Sequence, residues 1–168
     1  MELNFKKLEE DLTKEIKDFK IEKEPILRDE FPSYMQSILT LANCKQKFYS
    51  ERFSLVTKRF DLIERCSSIS KHKKSVEEKY LFYVKTNNFQ MLYSLANGTV
   101  NSAQLAPKNE FEREILLKSY FKDIDFCIGL FDNFIKYVDD LIKTVDFHLY
   151  GIPYVISLEN YNSHLKID

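Results

Sequence analysis

The sequence predicts a mainly α fold: long heptad-patterned helices forming an extended helical bundle or coiled coil, with a small β-hairpin near 80–95 as an open alternative. Two apolar repeats and a scarcity of helix breakers predict it. Leu117, Ile124, Phe131, Val138 and Val145 fall seven residues apart, and Phe121, Ile128, Ile135 and Ile142 repeat four places behind them. Upstream, Tyr34, Leu41, Phe48, Leu55 and Leu62 share that spacing, each followed by Met35, Ala42, Tyr49, Val56 or Ile63. Apolar stripes sustained over four or five heptads require long helices packed on other helices, in this chain or in copies of it. The 168 residues contain only 3 glycines and 4 prolines, and from Ser33 to Asn97 nothing breaks a helix.

The elements follow in order. A first amphipathic helix runs from about Leu3 to Phe19, with Phe5, Leu8, Leu12, Ile16 and Phe19 on one face. Ile21 to Phe31, interrupted by Pro25, reads as a short connector. Pro32 suits the first turn of a second helix that continues to about Arg65. Ser67-Ser68-Ile69-Ser70 reads as a break before the basic stretch Lys71-His72-Lys73-Lys74. Residues 76–96 admit two readings: Val76, Tyr80, Leu81 and Val84 fit a helical face, whereas Tyr80–Val84 and Phe89–Leu95 have strand composition around Asn87-Asn88. After a loop from Asn97 to Pro107, Asn109 and Glu112 make a capping box for a last helix running to about Leu149. Gly129 inside that helix implies close packing or a kink. The organisation expected is thus residues 1–106 as N-terminal helices with a basic and aromatic segment, 107–150 as a C-terminal oligomerisation helix, and 151–168 as a tail.

Cys44, Cys66 and Cys127 make no disulfide framework, and Cys44 and Cys127 read as small core residues, so a reduced intracellular setting is expected. No stretch has the length and apolarity of a signal core or of a membrane span, and the Asn97-Gly98-Thr99 sequon is then only a turn. Net charge is −1, but unevenly spread. Residues 1–43 hold 7 basic and 10 acidic side chains (−3), residues 44–85 hold 11 and 5 (+6), and residues 86–168 hold 7 and 11 (−4). A basic middle between acidic flanks suggests a local polyanion site.

Two basic groups could form that site. Lys45, Arg52 and Arg59 repeat every seven residues between the two apolar rows of the second helix. They form either a basic groove flanked by Phe48, Tyr49, Phe53 and Phe60, or one side of an ion-pair seam with Asp125, Asp132, Asp139 and Asp146, which repeat at the same interval. The second group is Lys71, Lys73, Lys74, Lys79 and Lys85, interleaved with Tyr80, Phe82, Tyr83 and Phe89. Ammonium groups on phosphates with aromatic faces under bases hold single-stranded nucleic acid; alternatively the rings are core and the lysines a solvated face. No glycine-rich phosphate loop is present, and His72, His148 and His164 lack metal-ligand spacing. Neither an enzyme, a catalytic residue, a metal nor a cofactor is expected.

Leu12-x-x-Glu15-Ile16, an acidic connector, Leu27, Pro32, Tyr34 and a long lysine-bearing helix ending in aromatics resemble the UvsY-type recombination mediator proteins of tailed phages. Ile124-Asp125-Phe126-Cys127-x-Gly129 followed by Asp132, Lys136, Ile142 and Lys143 is similar to the corresponding stretch of that family. The resemblance covers about two-thirds of the chain. It implies a non-enzymatic, ring-like homo-oligomer assembled through its C-terminal region, which acts in DNA recombination, replication and repair in the cytoplasm of the infected host cell. It also implies binding to single-stranded DNA, to the phage recombinase and to the single-strand-binding protein, with no membrane partner. The family's paired aromatics match Phe82-Tyr83, carrying one basic position onto Lys79; the other falls on Glu77, and Val84 stands in place of the family's glycine.

The expected nucleic-acid-binding residues are therefore Lys71, Lys73, Lys74, Lys79, Tyr80, Tyr83 and Lys85. The expected oligomerisation residues are Leu117, Phe121, Ile124, Ile128, Phe131, Ile135, Val138, Ile142 and Val145. The competing reading is a coiled-coil structural or adaptor protein without nucleic-acid binding, its basic middle consumed by its own acidic flanks.

Overall fold

The computed structural model describes residues 4–31, 38–86 and 110–165. Nearly all of them are helical: α1 spans Phe5–Pro25, α2 Ile38–Lys85 and α3 Glu110–Leu165. No strand occurs among the described residues.

Asn4 caps α1, its side-chain oxygen accepting the Lys7 N–H at 3.1 Å. The expected face is the protected one: Leu12 is buried, and Phe5, Leu8, Ile16 and Phe19 are half-buried. The helix does not end at Phe19, and Ile21–Phe31 is no connector. Pro25 lacks an N–H, so the ladder loses a bond there and widens into a π-helical turn, Ile26–Glu30. Phe31 N–H closes that turn on the Ile26 carbonyl, five residues back. Leu27 and Phe31, one turn apart, are both buried, which offsets the irregularity.

Helix α2 runs through Ser67–Ser70, where a break was expected, and through Tyr80–Val84, which one reading made a strand. The reason is tertiary. Phe48, Leu55, Leu62, Ile69 and Val76 form a single buried row at seven-residue intervals, so a break at Ser67 would remove Ile69 and Val76 from it. Burying such a side chain stabilises by about 1.5–3 kcal/mol, more than the weak helix propensity of serine costs. The second hairpin arm, Phe89–Leu95, lies outside the described residues, as do Pro32, the Asn97–Pro107 loop and the Asn109 cap. Helix α3 passes Leu149 and Pro153 without ending and keeps Ile152 buried, so residues up to Leu165 are helix where a tail was expected.

The chain forms two compact units, Met1–Glu9 with Glu64–Leu130, and Glu10–Ile63 with Phe131–Asp168, and each helix contributes to both. The packed partners within each unit are segments of different helices. In the first unit the core is Ile69, Val76, Tyr80, Phe121, Ile124 and Cys127. The Phe5 ring sits 6.1 Å from His72, and the Cys127 thiol donates to the Phe5 carbonyl at 3.6 Å. Burial, aided by Glu9 and Asp123, pushes that thiol above its ordinary pKa and leaves it an inert core group.

In the second unit Leu12, Leu27, Phe31 and Cys44 join Phe48, Leu55 and Leu62 against Phe131, Phe134, Val138, Val145 and Ile152. Phe31 lies against Phe48 with centroids 4.1 Å apart, and Phe19 meets Phe134 edge-on at 5.3 Å. Lys23, only 6% exposed, reaches Glu22 and Glu51, each at 2.8 Å. Burial opposes its charge, but the hydrogen bonds and charges of the two carboxylates prevail and hold its pKa above the ordinary lysine value.

Much of the row expected to drive assembly is already buried within the single chain. Phe121, Ile124, Phe131, Val138 and Val145 are buried, while Ile128, Ile135 and Ile142 are half-buried; the side chain of Leu117 lies outside the described residues. Placing Asp at both 131 and 138 should consequently unfold the protein, seen as loss of helical circular dichroism, and not release folded subunits. Gly129 gives a second expectation. An added Cβ there would meet no atom within 4 Å, so close packing does not hold the glycine. Gly129→Ala should stabilise the protein by about 0.8–1 kcal/mol, raising its urea midpoint without changing the slope.

Candidate nucleic-acid interface

The fate of the Arg column follows from which side of the buried α2 row each charge occupies. Glu51 and Lys58 stand three residues after Phe48 and Leu55, and both turn to α1: Glu51 meets Lys23, and Lys58 pairs with Glu15. Arg52 and Arg59 stand one position further and turn to α3. Arg52 Nε donates to Asp146 at 2.6 Å, and Arg59 Nε to Asp139 at 2.5 Å. In the first unit Lys73 does the same with Asp125, at 2.6 Å, its ammonium 5.5 Å from the Phe121 ring centre. Each step of seven along α2 is answered by seven steps back along α3, so the two helices pair in opposite directions. Asp146 raises the guanidinium of Arg52 further above its ordinary range by hydrogen bonding and charge.

The choice between basic groove and ion-pair seam is thus settled for Arg52 and Arg59: they are neutralised. Arg52 meets Asp146, two heptads beyond the Asp132 that a seam starting from Lys45 and Asp125 would assign to it, whereas Arg59 meets Asp139. Lys45 is exposed and has no ion-pair partner among the described residues.

The second group divides differently. Ile69, Val76 and Tyr80 hold one side of α2 in the first unit, which fixes what the other side presents. Lys71, Lys74 and Lys85 lie three, four or a multiple of about 3.6 residues apart along it, and all three are exposed. Lys79 is exposed at the margin of that face. Lys73 is turned away into its pair with Asp125. Of the two tyrosines, Tyr80 is buried in the core and cannot receive a base, and Tyr83 is half-buried.

The ring that does lie among the lysines is Phe82, 60% exposed, eleven residues after Lys71 and three before Lys85. It stands edge-on to Tyr83, 5.9 Å between centroids. Its turn is closed by Thr86, whose N–H and hydroxyl both donate to the Phe82 carbonyl, at 3.0 and 2.9 Å. Helical spacing from Lys71 and Lys74 carries the signal for Phe82, once the segment is known to be helix. The face holds four exposed ammonium groups, those of Lys71, Lys74, Lys79 and Lys85, with Glu78 as the exposed carboxylate among them.

Among the described residues no cluster of His, Cys, Asp or Glu side chains could hold a metal ion, and no helix is long and apolar enough to cross a membrane. Comparison with protein-family models, with curated proteins and with solved structures gives no match for this chain.

The ion-pair assignment is open to a double-mutant cycle. Arg52→Glu should destabilise the protein, and adding Asp146→Arg should recover part of the loss, with a coupling of about 0.2–1 kcal/mol for a pair this exposed. Adding Asp132→Arg instead should recover nothing. Equal behaviour of the two double variants in urea denaturation would remove the assigned register.

Proposed function

We propose that the protein is a recombination mediator that binds single-stranded DNA and assists loading of a phage recombinase onto strands covered by single-strand-binding protein. In this reading the helices form an extended bundle, and subunits assemble into a ring-shaped homo-oligomer in the infected host cytoplasm. One observation carries the DNA-binding part: Lys71, Lys74, Lys79 and Lys85 remain exposed around the exposed ring of Phe82, whereas Arg52 and Arg59 of the other basic column are paired with Asp146 and Asp139. Ammonium groups track phosphates and an aromatic face supports a base without regard to its identity, which suits a protein that must coat any sequence. Repetition of the patch in an oligomer multiplies modest sites along one strand.

The adaptor reading has its own support in the neutralised Arg52 and Arg59, which remove two cations from the basic middle. Fluorescence anisotropy with a labelled oligothymidylate over a salt series separates the two. Changing Lys71, Lys74, Lys79 and Lys85 to Ala should flatten the salt dependence by about 0.7 for each phosphate no longer neutralised. Phe82→Ala should weaken binding by about 1–3 kcal/mol at every salt concentration and leave the slope unchanged. A folded quadruple variant with the parent slope would move the site elsewhere, and absence of binding by the parent at low salt would favour the adaptor.

A further inference from the structure

Among the described residues of the second compact unit, a set of aromatic rings stays exposed. Tyr49, Phe53 and Phe60 on α2, and Phe147, Tyr150 and Tyr154 on α3, are between 53% and 83% exposed. They are not scattered. Tyr49 and Phe53 flank Arg52, Phe60 follows Arg59, and Phe147 follows Asp146, so the rings line both banks of the Arg–Asp pairs. The pairing of Arg52 with Asp146 sets Tyr49 and Phe53 at the level of Phe147 and Tyr150. Tyr150 is close enough to Arg52 to act on its charge. Helix α1 is engaged elsewhere: its contacts to Glu51, Lys58, Phe134 and Tyr137 all lie on other columns of α2 and α3.

We infer that this two-helix aromatic face is where a second copy of the chain docks. Three features select that occupant. At roughly 200 Å² per ring, the six exposed fractions leave about 800 Å² of aromatic surface, which is the amount each partner contributes to a standard stable interface. Isolated apolar patches of this size on a single subunit mark protein contacts. The two arginines within the face are already paired with Asp146 and Asp139, which leaves Lys45 as its exposed cation, so it offers little to a polyanion and brings little like-charge conflict when it meets itself. Finally, Phe147 and Tyr154 repeat at seven residues, as do Phe53 and Phe60, and a stripe of that period is filled by another long heptad-patterned helix. A second copy brings both helices.

This inference rests on the self-association in the proposed function and not on its DNA-binding part. Sedimentation equilibrium of the full chain without DNA tests it. The parent should be at least dimeric at micromolar concentration, and Phe53→Ser, Phe147→Ser and Tyr154→Ser together should lower its mass at least twofold with helical circular dichroism retained. Phe126→Ser, an exposed ring in the other unit, should leave the mass unchanged. Photo-oxidative dityrosine cross-linking gives a second readout through a variant that keeps every ring: Tyr49→Phe, Tyr150→Phe and Tyr154→Phe together should lose most of the covalent dimer while remaining assembled. A monomeric parent, an undiminished mass in the folded serine variant, or undiminished cross-linking in the phenylalanine variant would each overturn the inference. Because DNA is absent throughout, such a result would leave the Lys71–Lys85 site untouched.

Discussion

Burial of one apolar row on each long helix governs the rest of the structure. Phe48, Leu55, Leu62, Ile69 and Val76 on α2, and Ile124, Phe131, Val138, Val145 and Ile152 on α3, are withdrawn from water at every seventh position. That fixes the rotation of each helix about its axis, and with it the neighbourhood of every other side chain. Positions three and four residues after a buried residue lie on the two flanks of the row. A charge there is partly desolvated and is costly unless it meets an opposite charge. The flanking residues of α2 satisfy this on both sides: Glu51 and Lys58 with α1, Arg52, Arg59 and Lys73 with α3.

The same rotation decides what remains available for partners. In one unit the exposed side of α2 retains four lysines and the ring of Phe82, a surface with unbalanced positive charge. In the other, the exposed side retains aromatic rings around charges that already neutralise each other. Polyanion binding requires the first kind of surface, and subunit association the second. A single heptad register thus separates the two kinds of surface along the same helix, with no loop or inserted domain needed to do it.

Much of this was legible in the residues. The helical class, the amphipathic face of α1, the buried rows and the opposition of an Arg column to an Asp column all follow from spacing, because helix periodicity is a local property. Spacing and composition mislead where local and tertiary preferences disagree. Ser67–Ser70 and Tyr80–Val84 have the composition of a break and of a strand, yet Ile69, Val76 and Tyr80 hold them helical through burial. Pro25 marks an interruption correctly, but the buried pair Leu27 and Phe31 draws the chain on through a π turn. Pro153 likewise lies inside a helix that continues past it, with Ile152 buried beside it.

The candidate site shows the same division. That positive charge concentrates between residues 71 and 85 could be read from the chain, and so could the presence of aromatic rings among it. Which ring is available could not: Tyr80 falls on the core side and Phe82 on the open side, and the difference between them is two residues of helical rotation. Residue order alone carries the period of the apolar pattern and the types of charge beside it. Packing settles which Asp faces which Arg, which stripe is interior, and which aromatics stay in water. Those outcomes depend on the register between helices distant in sequence, which no single helix encodes.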